Sequence, residues 1–130
     1  MKKVKWLERS LFRGGYLTFV TSQKEFEQAL YELDIPFEGE PYLNPGANAT
    51  THSYAPVKGT IACIVALDMA GAAEQEPIDV AAILVHEAVH VWQKEESSCG
   101  ALGCFGTEGE AYGIQNISAE LMRAYKEKIK

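Results

Sequence analysis

The chain has 130 residues, of which 47% are hydrophobic and 23% are charged. This is the balance of a soluble globular protein, and the length suits one domain spanning residues 1–130. The net charge of −6 argues against a nucleic-acid partner, which requires a concentrated basic face. The opening residues MKKVKWLERS lack the apolar run of a secretory signal, and no stretch approaches the roughly 20 apolar residues of a membrane span. A cytoplasmic protein without a membrane partner is therefore expected.

The N-terminal part predicts a strand followed by a helix. Residues Tyr16–Val20 are rich in aromatic and β-branched side chains, as is typical of a strand. Ser22 and Glu25 have the spacing of a capping box, which marks the start of a helix. The buried face of this helix is predicted at Phe26, Leu30 and Leu33. Pro36 lies just beyond its predicted end.

The segment from residue 36 to residue 59 changes in composition. It contains four prolines and a strong turn signal at Asn44-Pro45-Gly46. A structureless loop of this length is unusual inside a compact domain, so the segment is expected either to contain short strands or to form part of a functional rim. The uninterrupted apolar run Thr60–Leu67 follows and predicts a buried strand.

Two helices are predicted in the C-terminal half. Pro77 occupies a helix start, and apolar residues continue at helical spacing to about Lys94. A loop is expected from residue 95 to residue 106, and a last helix from near Thr107 to the end of the chain. These elements predict an α+β fold in which a small β-sheet packs against the two helices.

The three cysteines are expected to play different roles. Cys63 lies within the apolar run and is predicted to be a core residue. Cys99 and Cys104 flank the glycine-rich stretch CGALGC, and in a reducing cytosol free thiols are favoured for them. A disulfide and a second metal site are the alternatives, although two sulfurs alone do not complete a tetrahedral zinc site.

The segment HEAVH carries the main chemical signal of the chain. His86 and His90 lie four residues apart on a predicted helix, so both imidazoles can reach one metal ion. Glu87 is offset by about 100° around the helix and can accept a proton from a metal-bound water without being a ligand. Because the flanking residues are uncharged, we expect a mostly buried helix whose histidines need partners, and zinc would satisfy both. Two core histidines bonded to backbone or solvent are the alternative.

A catalytic zinc site needs a third protein ligand. Glu108 and Glu110 lie 18 and 20 residues after His90, where a helical hairpin would bring them back towards the histidines. We favour Glu110, because it begins the inward apolar face of the last helix. The alternatives are Glu108, or a purely capping role for both, since Thr107 and Glu110 have capping-box spacing. His52 is the only other histidine.

HEAVH followed by EGEAYGIQ resembles the gluzincin class of metallopeptidases. The resemblance extends from Pro77 to about residue 122, and it is closest to the short, single-domain minigluzincins and to phage or prophage proteins that carry such a domain. It implies a minimal zincin-like fold, zinc as cofactor and a peptide or protein as substrate. It also implies that His86, His90 and Glu110 bind the zinc ion and that Glu87 is the general base.

The resemblance carries further implications and two departures. It suggests that the strand Thr60–Leu67 borders the cleft and pairs with an extended peptide. Larger gluzincins have an acidic residue where this chain has Ile114, so a ligand imidazole must be oriented by another group, for example Asn116, Glu120 or a backbone carbonyl. The second departure concerns the oxyanion donor, which a further domain supplies in larger gluzincins and which has no counterpart in this sequence. The candidates for that role here are His52, Tyr54 and Tyr112.

The function expected from the sequence is zinc-dependent peptide hydrolysis, with Glu87 as general base. A protease acting on one specific protein, such as a repressor, would share this chemistry. The alternative from another class is a non-catalytic zinc-binding protein with a structural or partner-binding role, for instance in phage assembly. In that case a protein group such as Cys99, Cys104 or His52 would occupy the fourth position on zinc.

Overall fold

A computed structural model describes residues 2–7, 15–57, 59–98 and 106–130. Within them the predicted α+β class is confirmed, with one small mixed sheet and four helices. In chain order the elements are β1 (Tyr16–Val20), α1 (Gln23–Glu32), β2 (Ala49–Val57), β3 (Thr60–Leu67), α2 (Met69–Ala73), α3 (Pro77–Ser98) and α4 (Gly106–Lys128). None of these described helices combines the length and apolar character of a membrane span.

The central strand β3 separates two hydrophobic clusters. It pairs parallel with β1 on one side and antiparallel with β2 on the other, in the order β1-β3-β2. Its odd-numbered side chains pack with α3 and α4, and its even-numbered side chains pack with α1. Burial on both faces requires apolar residues at every position, which explains the uninterrupted run. The prediction that Cys63 is a core residue is confirmed.

The predicted start of α1 is also confirmed. The Ser22 Oγ accepts a hydrogen bond from the backbone N–H of Glu25 at 3.1 Å. The Glu25 carboxylate reaches back to accept from the backbone N–H of Thr21 at 2.9 Å. The first bond satisfies an amide group that the helix itself leaves unpaired, and the second binds the residue just before the cap. The chain leaves α1 through Asp34, whose φ of 59° is in the left-handed region that ends many helices.

The proline-rich segment contains a nine-residue strand, β2. Its position at the edge of the sheet accounts for Pro56, because an edge strand tolerates a residue that cannot donate to a ladder. The pairing with β3 shifts between Tyr54 and Val57 at the same place. The segment therefore holds a strand, one of the two outcomes expected for it. The sequence did not predict α2, and α3 continues to Ser98, beyond the predicted end at Lys94.

The outer side of β1 is covered by the N-terminal residues. The backbone N–H of Leu7 donates to the carbonyl of Leu17 at 2.8 Å. Glu32 of α1 anchors the same segment by accepting from the backbone N–H of Val4 at 3.0 Å and from the Trp6 Nε1 at 2.9 Å. Burial raises the pKa of Glu32, but hydrogen bonds from Gln28, Val4 and Trp6 and the nearby charge of Lys3 hold that pKa below its ordinary value.

The two long helices α3 and α4 pack closely at one glycine. A Cβ atom built on Gly113 would lie 2.2 Å from Cζ3 and 2.4 Å from Cε3 of Trp92. Only a residue without a side chain fits against that ring. Beyond this contact Ile117 and Leu121 of α4 enter the core beside α3. The two helices of the predicted hairpin therefore pack together, and Glu110 lies one helical turn before the glycine.

Candidate metal centre

The imidazoles of His86 and His90 converge on one point outside α3. Their Nε2 atoms are 3.2 Å apart. The ring centroids are separated by 4.8 Å, with an angle of 79° between the ring planes. Two nitrogen ligands of one tetrahedral zinc ion, each about 2.05 Å from the metal, stand about 3.3 Å apart. The Nε2 separation therefore fits a shared ion.

The expectation that the two histidines are buried is wrong. The His86 side chain is 68% exposed, and His90 is exposed as well. Among the uncharged residues around them, Leu84, Ala88 and Val91 are fully buried, but they occupy the opposite side of α3, and Val85 is 37% exposed. The cost of burial therefore does not argue for a metal here, and the alternative of two core histidines is also wrong. The 3.2 Å distance between the two Nε2 atoms also fits a hydrogen bond between the rings, with no metal present.

Glu87 lies beside this pair in a different environment. It is 5% exposed, and its Oε1 accepts a hydrogen bond from the Thr51 Oγ1 of β2 at 2.7 Å. Its second oxygen, Oε2, is 4.0 Å from the His86 Nε2. The carboxylate is thus held at the edge of the histidine pair, as its helical offset predicts. The sequence could not predict the contact with Thr51, because the two residues are 36 positions apart.

A second contact orients the His90 ring. Its Nδ1 is 3.2 Å from the Oε1 of Gln93. Because an amide oxygen only accepts, this contact suits the tautomer with its proton on Nδ1, in which the lone pair of Nε2 is available for a metal. Asn116, Glu120 or a backbone carbonyl was expected in such a role. Glu120 accepts from Arg123 at 2.9 Å, and Gln93 was overlooked although it lies three residues from His90 on the same helix face.

The third ligand stays a prediction. Glu110 and Glu108 are both exposed in the first turns of α4. Among the residues that the structure describes, no third His, Cys, Asp or Glu side chain joins the histidine pair in a group able to hold a metal ion. Cys99 and Cys104 fall outside the described residues. Tyr112, one of the predicted oxyanion donors, is 53% exposed on α4.

The other two oxyanion candidates lie on the far side of the sheet. His52 packs on Phe26 of α1, with ring centroids 4.5 Å apart, and its Nε2 is 2.7 Å from the carbonyl oxygen of Tyr42. Tyr54 packs against the same α1-side cluster, where burial, assisted by the charge of Glu40, raises its pKa to about 12. Neither side chain shares the face of the histidine pair. Their proposed roles as oxyanion donors, and that of His52 as a zinc ligand, are therefore wrong.

A groove runs between α3 and β2 past the histidines. It consists of two open cavities of about 380 and 250 Å³ that share Ala49, His86 and Glu87. The strand beside it is β2, which forms an edge of the sheet, whereas β3 has partners on both sides. The expectation that Thr60–Leu67 borders the cleft and pairs with a peptide is therefore wrong, because its backbone groups already bond to β1 and β2.

Comparisons of this chain with protein families, with curated proteins and with solved structures returned no match.

Proposed function

We propose that this protein is a zinc-dependent peptidase in which His86 and His90 bind the metal ion and Glu87 is the general base. The observation that carries the proposal is the 3.2 Å separation of the two Nε2 atoms, which fits two ligands of one tetrahedral zinc ion. Glu110 remains the proposed third ligand, since it lies on the helix that packs against α3. Three residues of the HEAVH segment and one residue of α4 thus have distinct proposed roles, in the pattern of a minimal zincin-like domain.

The chain's own groups account for the proton transfers of peptide hydrolysis. Zinc, when bound, would polarise the scissile carbonyl and make a water molecule a better nucleophile. Glu87 takes the proton from the attacking water and passes it to the leaving amine as the carbon–nitrogen bond breaks. His90 keeps its Nε2 lone pair directed outward because its Nδ1 proton is engaged by Gln93.

An extended peptide is the substrate class that suits this groove. Among the described residues β2 has a strand partner on one side only, so its other side can pair with another extended chain. It passes directly beside Glu87, to which its Thr51 is bonded. A peptide added to β2 would therefore run along the histidine pair. Specificity would come from side chains on alternate positions of that peptide.

The rival proposal is a zinc-binding protein that cleaves nothing, with a structural or partner-binding role. It would need two further protein ligands beside the histidine pair, and among the described residues no third acidic, histidine or cysteine side chain joins that pair in a metal-binding group. In such a protein the remaining positions on zinc would all be filled by protein groups, which leaves no place for substrate. Zinc binding without hydrolysis is its signature.

Metal content is the first test. Protein purified without chelator and supplemented with zinc should retain one zinc ion per chain after dialysis, measured by elemental analysis. His86→Ala and His90→Ala should each lose most of it. The matched control is His52→Gln, which changes the remaining histidine on the opposite face of the sheet and should keep its zinc. A wild-type zinc content near zero would end the proposal.

Hydrolysis is the second test. A mixed peptide library should be cut by the zinc-loaded protein, with products detected by mass spectrometry, and cleavage should stop with a chelator. Glu87→Gln keeps the size of the side chain but not its basicity, so zinc should stay bound while the rate falls by about a hundredfold or more. Full activity in zinc-loaded Glu87→Gln would rule out this mechanism. Zinc binding without cleavage by the wild type would favour the non-catalytic rival.

A further inference from the structure

The general base proposed above has an anchor on a neighbouring strand. Glu87 is one of few buried charged residues among those described, and a buried carboxylate is costly unless hydrogen bonds stabilise it. The Thr51 Oγ1 donates to its Oε1 at 2.7 Å, an ordinary distance for an O–H···O hydrogen bond. The bond joins β2 to α3 across the groove, and it fixes one of the two carboxylate oxygens.

The two oxygens of Glu87 are therefore not equivalent. Oε1 is occupied by the Thr51 hydroxyl, whereas Oε2 points towards the histidine pair, 4.0 Å from the His86 Nε2. Only Oε2 is directed to where a water molecule would attack. Thr51 suits this task because a β-branched side chain in a strand has few rotamers, so its hydroxyl is held in one direction.

We propose that Thr51 is a positioning residue: it holds the Glu87 carboxylate so that Oε2, and not Oε1, accepts the proton of the attacking water. This inference rests on the proposed peptidase function. Thr51 itself touches no reacting atom in this scheme. It acts through Glu87, so its loss should lower kcat by misplacing the base and should leave KM and zinc binding nearly unchanged.

The test compares two substitutions at this position. Thr51→Val keeps the β-branched shape but removes the hydroxyl, and Thr51→Ser keeps the hydroxyl. With zinc loaded, Thr51→Val should lower kcat by about tenfold to a hundredfold, and Thr51→Ser should restore most of it. The matched control is Ser53→Ala, two residues further along β2 in register with Cys63 on the α3 side of the sheet. It removes a hydroxyl from the same face and should leave kcat unchanged.

A second measurement examines the contact without using activity. Urea unfolding of the metal-free wild type, Thr51→Val, Glu87→Ala and the double variant forms a double-mutant cycle. The hydrogen bond should appear as a coupling of about tenfold in the unfolding equilibrium constant. Absence of coupling would overturn the inference, because the contact would then not hold Glu87 in solution.

The outcomes separate this inference from the proposed function. Coupling together with a kcat loss in Thr51→Val and recovery in Thr51→Ser supports it. An active wild type with an equally active Thr51→Val overturns the positioning role alone, and leaves a bond that only stabilises the fold. A zinc-loaded wild type that cleaves no peptide overturns the peptidase proposal, and the positioning role falls with it.

Discussion

Substitution of Gly113 tests the packing that brings α4 against the helix of the histidine pair. A Cβ atom at this position would lie 2.2 Å from Cζ3, 2.4 Å from Cε3 and 3.0 Å from Cη2 of Trp92. Atoms in van der Waals contact need about 3.5 Å, so the ring or the helix must move by about 1 Å. The indole is 2% exposed and has core residues around it, which leaves it little freedom to rotate.

The expected result of Gly113→Ala is a loss of stability. Overpacking a filled core costs about 1–3 kcal/mol. At a helix position with open space the same change would instead stabilise by about 1 kcal/mol, because alanine favours the helix. The sign of the change therefore reports on the contact with Trp92. Because the contact of 2.2 Å is severe, we expect the upper end of that cost, about 3 kcal/mol. Subtracting the gain in helix propensity leaves a net loss of about 2 kcal/mol, which for a domain of this size lowers Tm by roughly 4–10 °C.

The assay is urea unfolding followed by circular dichroism and by tryptophan fluorescence. Trp92→Leu creates space at the contact, so the double variant Trp92→Leu/Gly113→Ala should be more stable than the sum of the two single changes predicts. Gln115→Ala, at an exposed position of α4, is the control for helix propensity. A Gly113→Ala protein as stable as the wild type, or more stable, would refute the close packing of α3 and α4 described above.

Three further predictions concern the metal, acid stability and the sheet. Glu110→Ala should weaken zinc binding by about a hundredfold or more, a larger decrease than the loss of a residue that only contacts a ligand would cause. Glu108→Ala should leave zinc binding nearly intact. Competition with a chromophoric chelator measures both affinities, and zinc release by Glu108→Ala alone would make Glu108 the ligand. Because the pKa of Glu32 is lowered by folding, its stabilising contribution is present above its ordinary value of 4.5 and disappears as the pH falls through the folded value. Glu32→Gln should therefore be less stable than wild type at pH 7, with a smaller difference near pH 3 in urea titrations; a difference independent of pH would contradict this reasoning. Gly15→Ala should destabilise strongly, since its Cβ would lie 1.6 Å from a backbone oxygen of β3; an unchanged thermal midpoint would show that the strands do not approach so closely.

Several elements could be predicted because their signals are local. The strand Tyr16–Val20, the run Thr60–Leu67 and the capping box at Ser22 depend on residues close together in the chain, and the structure contains all three. The strand β2 was harder to predict, because Pro56 and the turn residues before it resemble a loop. Its pairing with β3 over a long register outweighs these local preferences, as tertiary context often does for strands.

For the candidate site, the positions of His86, Glu87 and His90 relative to one another could be predicted, because the period of a helix places residues i and i+4 on one face. The convergence of the two histidine rings was therefore expected. The exposure of the rings depends on how α3 lies on the sheet, and the prediction that they are buried was wrong. Three features of the site depend only on the tertiary structure: the side of the sheet on which His52 lies, the bond from Thr51 to Glu87, and the position of β2 at the edge. They depend on strand order and register, and these arise from contacts between residues far apart in the chain, which no local pattern encodes.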